Sequence, residues 1–116
     1  MSDVVIYHNP RCSKSRQTLA LLEGRGIRPE VVLYLETPPS AARIQGFLKA
    51  LGMKPRDLMR KGETEYKALG LDDPKLSDAA LVQAMMENPR LIERPIVTRG
   101  ERVALGRPPE NVLKIL

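Results

Sequence analysis

One cysteine, one histidine, one phenylalanine and no tryptophan stand in this chain of 116 residues. Aromatic residues reach only 3% of the total, so a core has to be assembled from Leu, Val, Ile, Ala and Met. A lone cysteine excludes an internal disulfide, and with a lone histidine it leaves no set of ligands for a structural zinc, so no metal is expected. No apolar run approaches the ~20 residues that a membrane-spanning helix needs. The first residues lack the apolar stretch of a signal peptide. The expected compartment is therefore the cytoplasm, where a single thiol stays reduced, and no membrane partner is expected. Internal repeats, low-complexity segments and linkers are absent too, so residues 1–116 are expected to form one domain, and a monomer.

What is present is a modest basic excess, 19 Lys and Arg against 14 Asp and Glu, a net charge of +5. That suits an anionic small molecule or an acidic partner. Nucleic acid is disfavoured, because the basic residues are dispersed and stacking aromatics are nearly missing.

Short β-branched and helical patterns alternate along the chain. Val4-Val5-Ile6-Tyr7 reads as a buried strand that stops at Asn9-Pro10. Ser13 or Ser15 is placed to cap the following helix, whose Leu19, Leu21 and Leu22 precede the stop signals Gly24 and Gly26. Glu30 to Tyr34 reads as a second strand, parallel to the first through a right-handed crossover. A helix capped at Ser40 runs to about Ala50 and ends at Gly52. Shorter helices are predicted at Pro55–Met59 and Glu63–Leu69, and a longer one from Ser77 to Glu87, offering Leu81, Val82, Met85 and Met86 for packing. Pro95 to Thr98 and Arg102 to Leu105 form an antiparallel pair around Arg99-Gly100-Glu101. A last helix starts at Pro108-Pro109, with Val112, Leu113 and Leu116 turned inward. This order predicts an α/β protein of thioredoxin-like fold: a four-stranded mixed sheet with a helical insertion between the second and third strands.

Cys12 falls in the turn between the first strand and the first helix. A helix N-terminus carries unpaired N–H groups and partial positive charge. Arg11, Lys14 and Arg16 add cationic charge nearby. All of these favour the thiolate, which is the reactive form of cysteine. His8 has two readings: as a cation it stabilises the thiolate, and as a neutral ring it only hydrogen-bonds. Asn9 is either a simple turn residue or a brace for the loop.

A thiolate near arginines points to chemistry on a tetrahedral oxyanion, because the guanidinium fork matches oxyanion geometry and stays charged. Arg94 stands before the third strand. That strand runs antiparallel to the first, so its N-terminal end returns to the Cys12 loop. Arg107 follows the fourth strand, and the topological argument is weaker for it. It is weakest for Arg60, at the end of a short helix. The Arg94–Pro95 bond is a candidate for the cis form.

Several separated motifs then match one family in order. They are Ile6-Tyr7-His8-Asn9-Pro10 with Cys12, Ser15 and Arg16; Tyr34-Leu35-Glu36-Thr37-Pro38-Pro39; Leu58-Met59-Arg60-Lys61; Asn88-Pro89; Glu93-Arg94-Pro95-Ile96-Val97; and Gly106-Arg107-Pro108-Pro109-Glu110. From about residue 3 to residue 115 the chain resembles the glutaredoxin-coupled arsenate reductases, and most closely a shorter subgroup with a more basic cysteine loop. The resemblance implies Cys12 as nucleophile and Arg60, Arg94 and Arg107 as anion-binding residues. His8 would assist thiolate formation, Ser15 would donate a hydrogen bond to the sulfur, and Pro95 would be the cis-proline. It implies reduction of arsenate to arsenite with glutathione as cosubstrate, glutaredoxin as partner and no tightly bound cofactor. With no second cysteine, the electrons must come from outside. Two other readings share the fold: a regulator of the Spx type that binds RNA polymerase, and a glutathione-linked thiol-transfer protein. The Spx-type regulators generally carry a C-x-x-C pair, whereas here Ser15 stands three residues after Cys12.

Overall fold

A computed structural model describes residues 3–116. The chain packs as two compact units, Met1–Thr37 with Arg94–Leu116, and Pro38–Glu93.

The first unit is a four-stranded mixed sheet in the order β2-β1-β3-β4. Its strands are β1 (Val4–His8), β2 (Glu30–Leu33), β3 (Ile96–Arg99) and β4 (Arg102–Leu105). β1 pairs parallel with β2 and antiparallel with β3, so Ile6 lies beside Val31 on one side and Val97 on the other. Its side chains are buried or half-buried along the whole strand, and a strand covered on both faces reads as a continuous apolar run rather than an alternating one. β2 is an edge strand, and Val31 and Leu33 are exposed on it. Tyr34, expected as its last residue, lies beyond the strand and is buried. The β3–β4 turn passes through Gly100 at φ 60°, the left-handed region that glycine enters without a steric penalty.

Helix α1 (Ser13–Gly24) and a C-terminal 3₁₀ helix (Pro109–Ile115) pack on this sheet. The buried cluster joins Val4, Ile6, Leu22, Val97, Ala104, Val112 and Ile115. Leu22 is fully buried, and Leu22→Ala is expected to destabilise the protein by about 2–5 kcal/mol, the usual cost of a large-to-small change in a closed core, measurable by denaturant unfolding.

Two expectations need correction here. The last helix is 3₁₀ and not α. With three residues per turn, Pro109, Val112 and Ile115 fall on one face, and these are the buried ones. Leu113 and Leu116, picked out by the α-helical spacing, are only half-buried. Neither Ser13 nor Ser15 caps α1. The N-cap residue is Cys12, Ser13 is the first helical residue, and Ser15 is completely buried.

The second unit is helical. It holds α2 (Ala41–Leu51), α3 (Thr64–Ala68) and α4 (Asp78–Glu87), with 3₁₀ turns at Pro55–Leu58 after α2 and Pro89–Leu91 after α4. Ser40 and Ser77 cap α2 and α4, accepting from the N–H groups of Arg43 and Ala80 at 3.1 Å each. Gly52 ends α2 in the left-handed conformation, with the Met53 N–H donating back to the Leu48 carbonyl. Ile44, Phe47, Leu58, Leu81, Met85 and Leu91 fill the interior, and Met86 is only half-buried. A β-bridge joins Met59 and Ile92, which fixes the backbone at Arg60 and Glu93.

Candidate active site

The loop from His8 to Cys12 is built by short-range hydrogen bonds. The Asn9 side-chain oxygen accepts from the Arg11 N–H at 3.0 Å, and its carbonyl accepts from the Cys12 N–H at 3.0 Å. This is the Asx-type turn that asparagine favours, and it makes Asn9 a brace of the loop. Arg16 closes the same loop from outside, donating to the Pro10 carbonyl at 2.8 Å.

Cys12 is half-buried and has extended backbone angles, so its sulfur occupies the place where a capping Ser or Asp oxygen would sit. No side-chain capping bond closes by strict geometry, yet the backbone N–H groups of Ser15 and Lys14 act on the sulfur. Burial is the largest single influence on the thiol and opposes its ionisation. The Ser15 N–H, the Arg94 guanidinium (by hydrogen bond and by charge) and the Lys14 N–H together outweigh it and hold the thiol pKa below its ordinary value. The rate of Cys12 alkylation by iodoacetamide should accordingly reach half its maximum at a lower pH than that of a free thiol.

The arginines of this unit converge by different routes. Arg94 reaches the sulfur with its side chain. Arg107 places Nη1 4.0 Å from Cys12 Sγ and donates from the same nitrogen to the Arg94 carbonyl at 3.0 Å. The Arg94–Pro95 peptide bond is cis, and so is Arg107–Pro108, which nothing in the sequence had singled out. Arg11, Lys14 and Arg16, expected to supply the positive field, are exposed, and the sulfur is held instead by Arg94 and the helix N–H groups.

His8 and Ser15 form a buried pair, His8 Nδ1 to Ser15 Oγ at 2.6 Å. Ser15 Oγ also accepts from the Asn9 N–H at 3.0 Å. The Ser15 hydroxyl is thus engaged with His8 and Asn9, and the hydrogen bond expected from it to the sulfur comes from its backbone N–H instead. Burial, and then the Arg16 cation, push the His8 pKa down. The lowered basicity and the bond to Ser15 favour the neutral-ring reading of His8. The unfolded chain binds this proton more readily, so stability contributed by neutral His8 is fully present above the ordinary imidazole pKa and is lost as pH falls from there through the lowered folded-state value.

Arg60 belongs to the second unit. Its Nε donates to Glu63 at 3.2 Å and its Nη1 to Glu93 at 3.0 Å. Arg90 holds the other oxygen of Glu63 at 3.2 Å. These carboxylates were not foreseen from the sequence: Glu93 stands 33 residues from Arg60, and only the Met59–Ile92 bridge brings it across. Among the described residues, no group of three or more His, Cys, Asp and Glu could hold a metal ion, and no helix is long and apolar enough to cross a membrane.

A thioredoxin-like domain whose single cysteine caps the first helix beside two arginines defines a thiol-dependent redox class. Comparison with known proteins narrows it. The chain belongs to the ArsC family, whose model matches residues 7–115. It is 59% identical over 114 residues to the uncharacterized protein YfgD of Escherichia coli K12, covering 97% of this chain and 96% of that one. It is 52% identical over 114 residues to the arsenate reductase of Haemophilus influenzae, covering 97% and 98%. The solved structure of an arsenate reductase from Vibrio cholerae superposes with a TM-score of 0.94 at 56% identity, covering 97% of each chain.

Proposed function

We propose that this protein reduces arsenate to arsenite, with Cys12 as the nucleophile. What carries the proposal is the setting of the sulfur: helix N–H groups and Arg94 hold its pKa below the ordinary thiol value, and the Arg107 guanidinium lies at its edge, Nη1 4.0 Å away. Full-length relatedness to arsenate reductases supports the choice of substrate.

The thiolate attacks arsenic and forms a sulfur–arsenic bond while one oxygen leaves as water. Arg94 and Arg107 offset the negative charge that otherwise repels an anion from a thiolate. Glutathione then displaces a second oxygen and puts a second sulfur on arsenic. A glutaredoxin thiolate attacks the glutathione sulfur. The As–S(glutathione) bond breaks and its electron pair stays on arsenic, now As(III), so the new glutathione–glutaredoxin disulfide carries away the two oxidising equivalents of As(V). Water releases arsenite and returns Cys12 as the thiolate. No step calls for a second cysteine in this chain, which has none. By the family pattern Arg60 shares the anion-binding duty. His8, Asn9 and Ser15 hold the loop, and Pro95 carries Arg94.

The test is a coupled assay with arsenate, glutathione, glutaredoxin, glutathione reductase and NADPH. NADPH consumption that requires arsenate and this protein together is the expected result. Turnover of a glutathione mixed disulfide with none of arsenate would move the assignment to thiol transfer.

A further inference from the structure

Gly106 directly follows β4 and directly precedes Arg107, and its surroundings differ from those of every other glycine among the described residues. A Cβ at this position would lie 2.7 Å from Thr18 Oγ1, 2.8 Å from Pro95 Cγ and 3.2 Å from Thr18 Cγ2. The other seven would meet nothing within 4 Å. Real Cβ atoms do not approach other atoms this closely, so any side chain here has to push Thr18 and Pro95 apart. Thr18 is completely buried and has little room to yield.

The two groups that touch Gly106 lead to the sulfur by separate routes. Thr18 Oγ1 donates to the Lys14 carbonyl at 2.8 Å, in the first turn of α1, and the N–H groups of Lys14 and Ser15 in that turn act on Cys12. Pro95 follows Arg94, whose guanidinium bonds the sulfur and whose carbonyl receives Arg107 Nη1. The Gly106 N–H itself donates to the Pro95 carbonyl at 2.9 Å. Helix start, Arg94 segment and Arg107 therefore meet over one missing methyl group. We infer that Gly106 is a positioning residue of the Cys12 site: its bare Cα sets the spacing between the first turn of α1 and the Arg94–Pro95 segment, and with it the convergence of the groups that hold the sulfur. This rests on reading Cys12 as the attacking thiol.

The experiment reads the sulfur directly and needs no arsenate. The pH dependence of Cys12 alkylation is measured for the wild type, Gly106→Ala, Thr18→Ala, the double variant and Gly46→Ala, each first checked for folding by circular dichroism. Gly106→Ala is expected to raise the alkylation midpoint by about one pH unit, a tenfold loss of thiolate at a fixed pH below the midpoint. Gly46→Ala, in open space on α2, is expected to leave the midpoint in place. Thr18→Ala removes both Thr18 atoms from the clash, and the space they leave lets the new methyl move away from Pro95 Cγ, so the double variant is expected to return most of the way toward Thr18→Ala alone. The inference is overturned by a folded Gly106→Ala with an unchanged midpoint, or by a folded double variant that stays displaced. Should Gly106→Ala fail to fold, the double variant decides: a midpoint matching Thr18→Ala supports the spacing role, and a displaced one overturns it. Failure of arsenate turnover in the wild type leaves this measurement intact, so the two readings are separable.

Discussion

Cys12→Ser is expected to abolish arsenate turnover, a loss of at least about 10³-fold, or ~4 kcal/mol of barrier. The replacement keeps nearly the same shape at a half-buried position, so folding should persist, as circular dichroism would register. What disappears is ionisation. The Ser15 and Lys14 N–H groups and the Arg94 guanidinium lower the pKa of a thiol into reach, but a serine hydroxyl ionises so much less readily that the same influences leave it protonated. The chain has no other cysteine to take over. Turnover retained by Cys12→Ser in the coupled assay would remove the covalent mechanism.

Arg94→Lys is expected to cost about 10- to 100-fold in kcat/KM for arsenate, roughly 1.4–2.7 kcal/mol of transition-state stabilisation. The formal charge survives the change, so a purely coulombic role would be largely preserved. The planar fork does not survive, and with it goes the ability to donate to sulfur and substrate from a fixed frame. Because Arg94 also lowers the thiol pKa by hydrogen bond and by charge, Arg94→Lys should move the alkylation midpoint upward as well. A variant with unchanged kcat/KM and unchanged midpoint would show that Arg94 has no part in the site.

The sequence made the sheet and the cysteine turn readable for physical reasons. Val4 to Tyr7 is apolar, and β-branched up to Ile6, because both faces of β1 are covered, and Asn9-Pro10 ends it because the Asx turn needs asparagine there. Arg94 could be placed beside Cys12 by strand direction alone, since β1 and β3 are antiparallel. Other features lay beyond such reasoning. A seven-residue segment is too short to separate a repeat of 3.0 from one of 3.6, so Leu113 and Leu116 were chosen over Ile115. Ser15 has the chemistry of a cap, and only its complete burial reveals that its hydroxyl serves His8 and Asn9. The charge state of His8 depends on burial and on Arg16, neither of which a motif encodes. The Gly106 contact joins residues 18, 95 and 106 through packing that has no periodicity to read.

Cys12 stands where the first turn of α1 rewards negative charge. In the proposed mechanism, each arsenic–sulfur intermediate surrenders that reward, and each release of product recovers it. A thiol of depressed basicity departs faster from the atom it has attacked. On that mechanism, the placement that readies Cys12 for attack therefore also makes it a good leaving group from its own product.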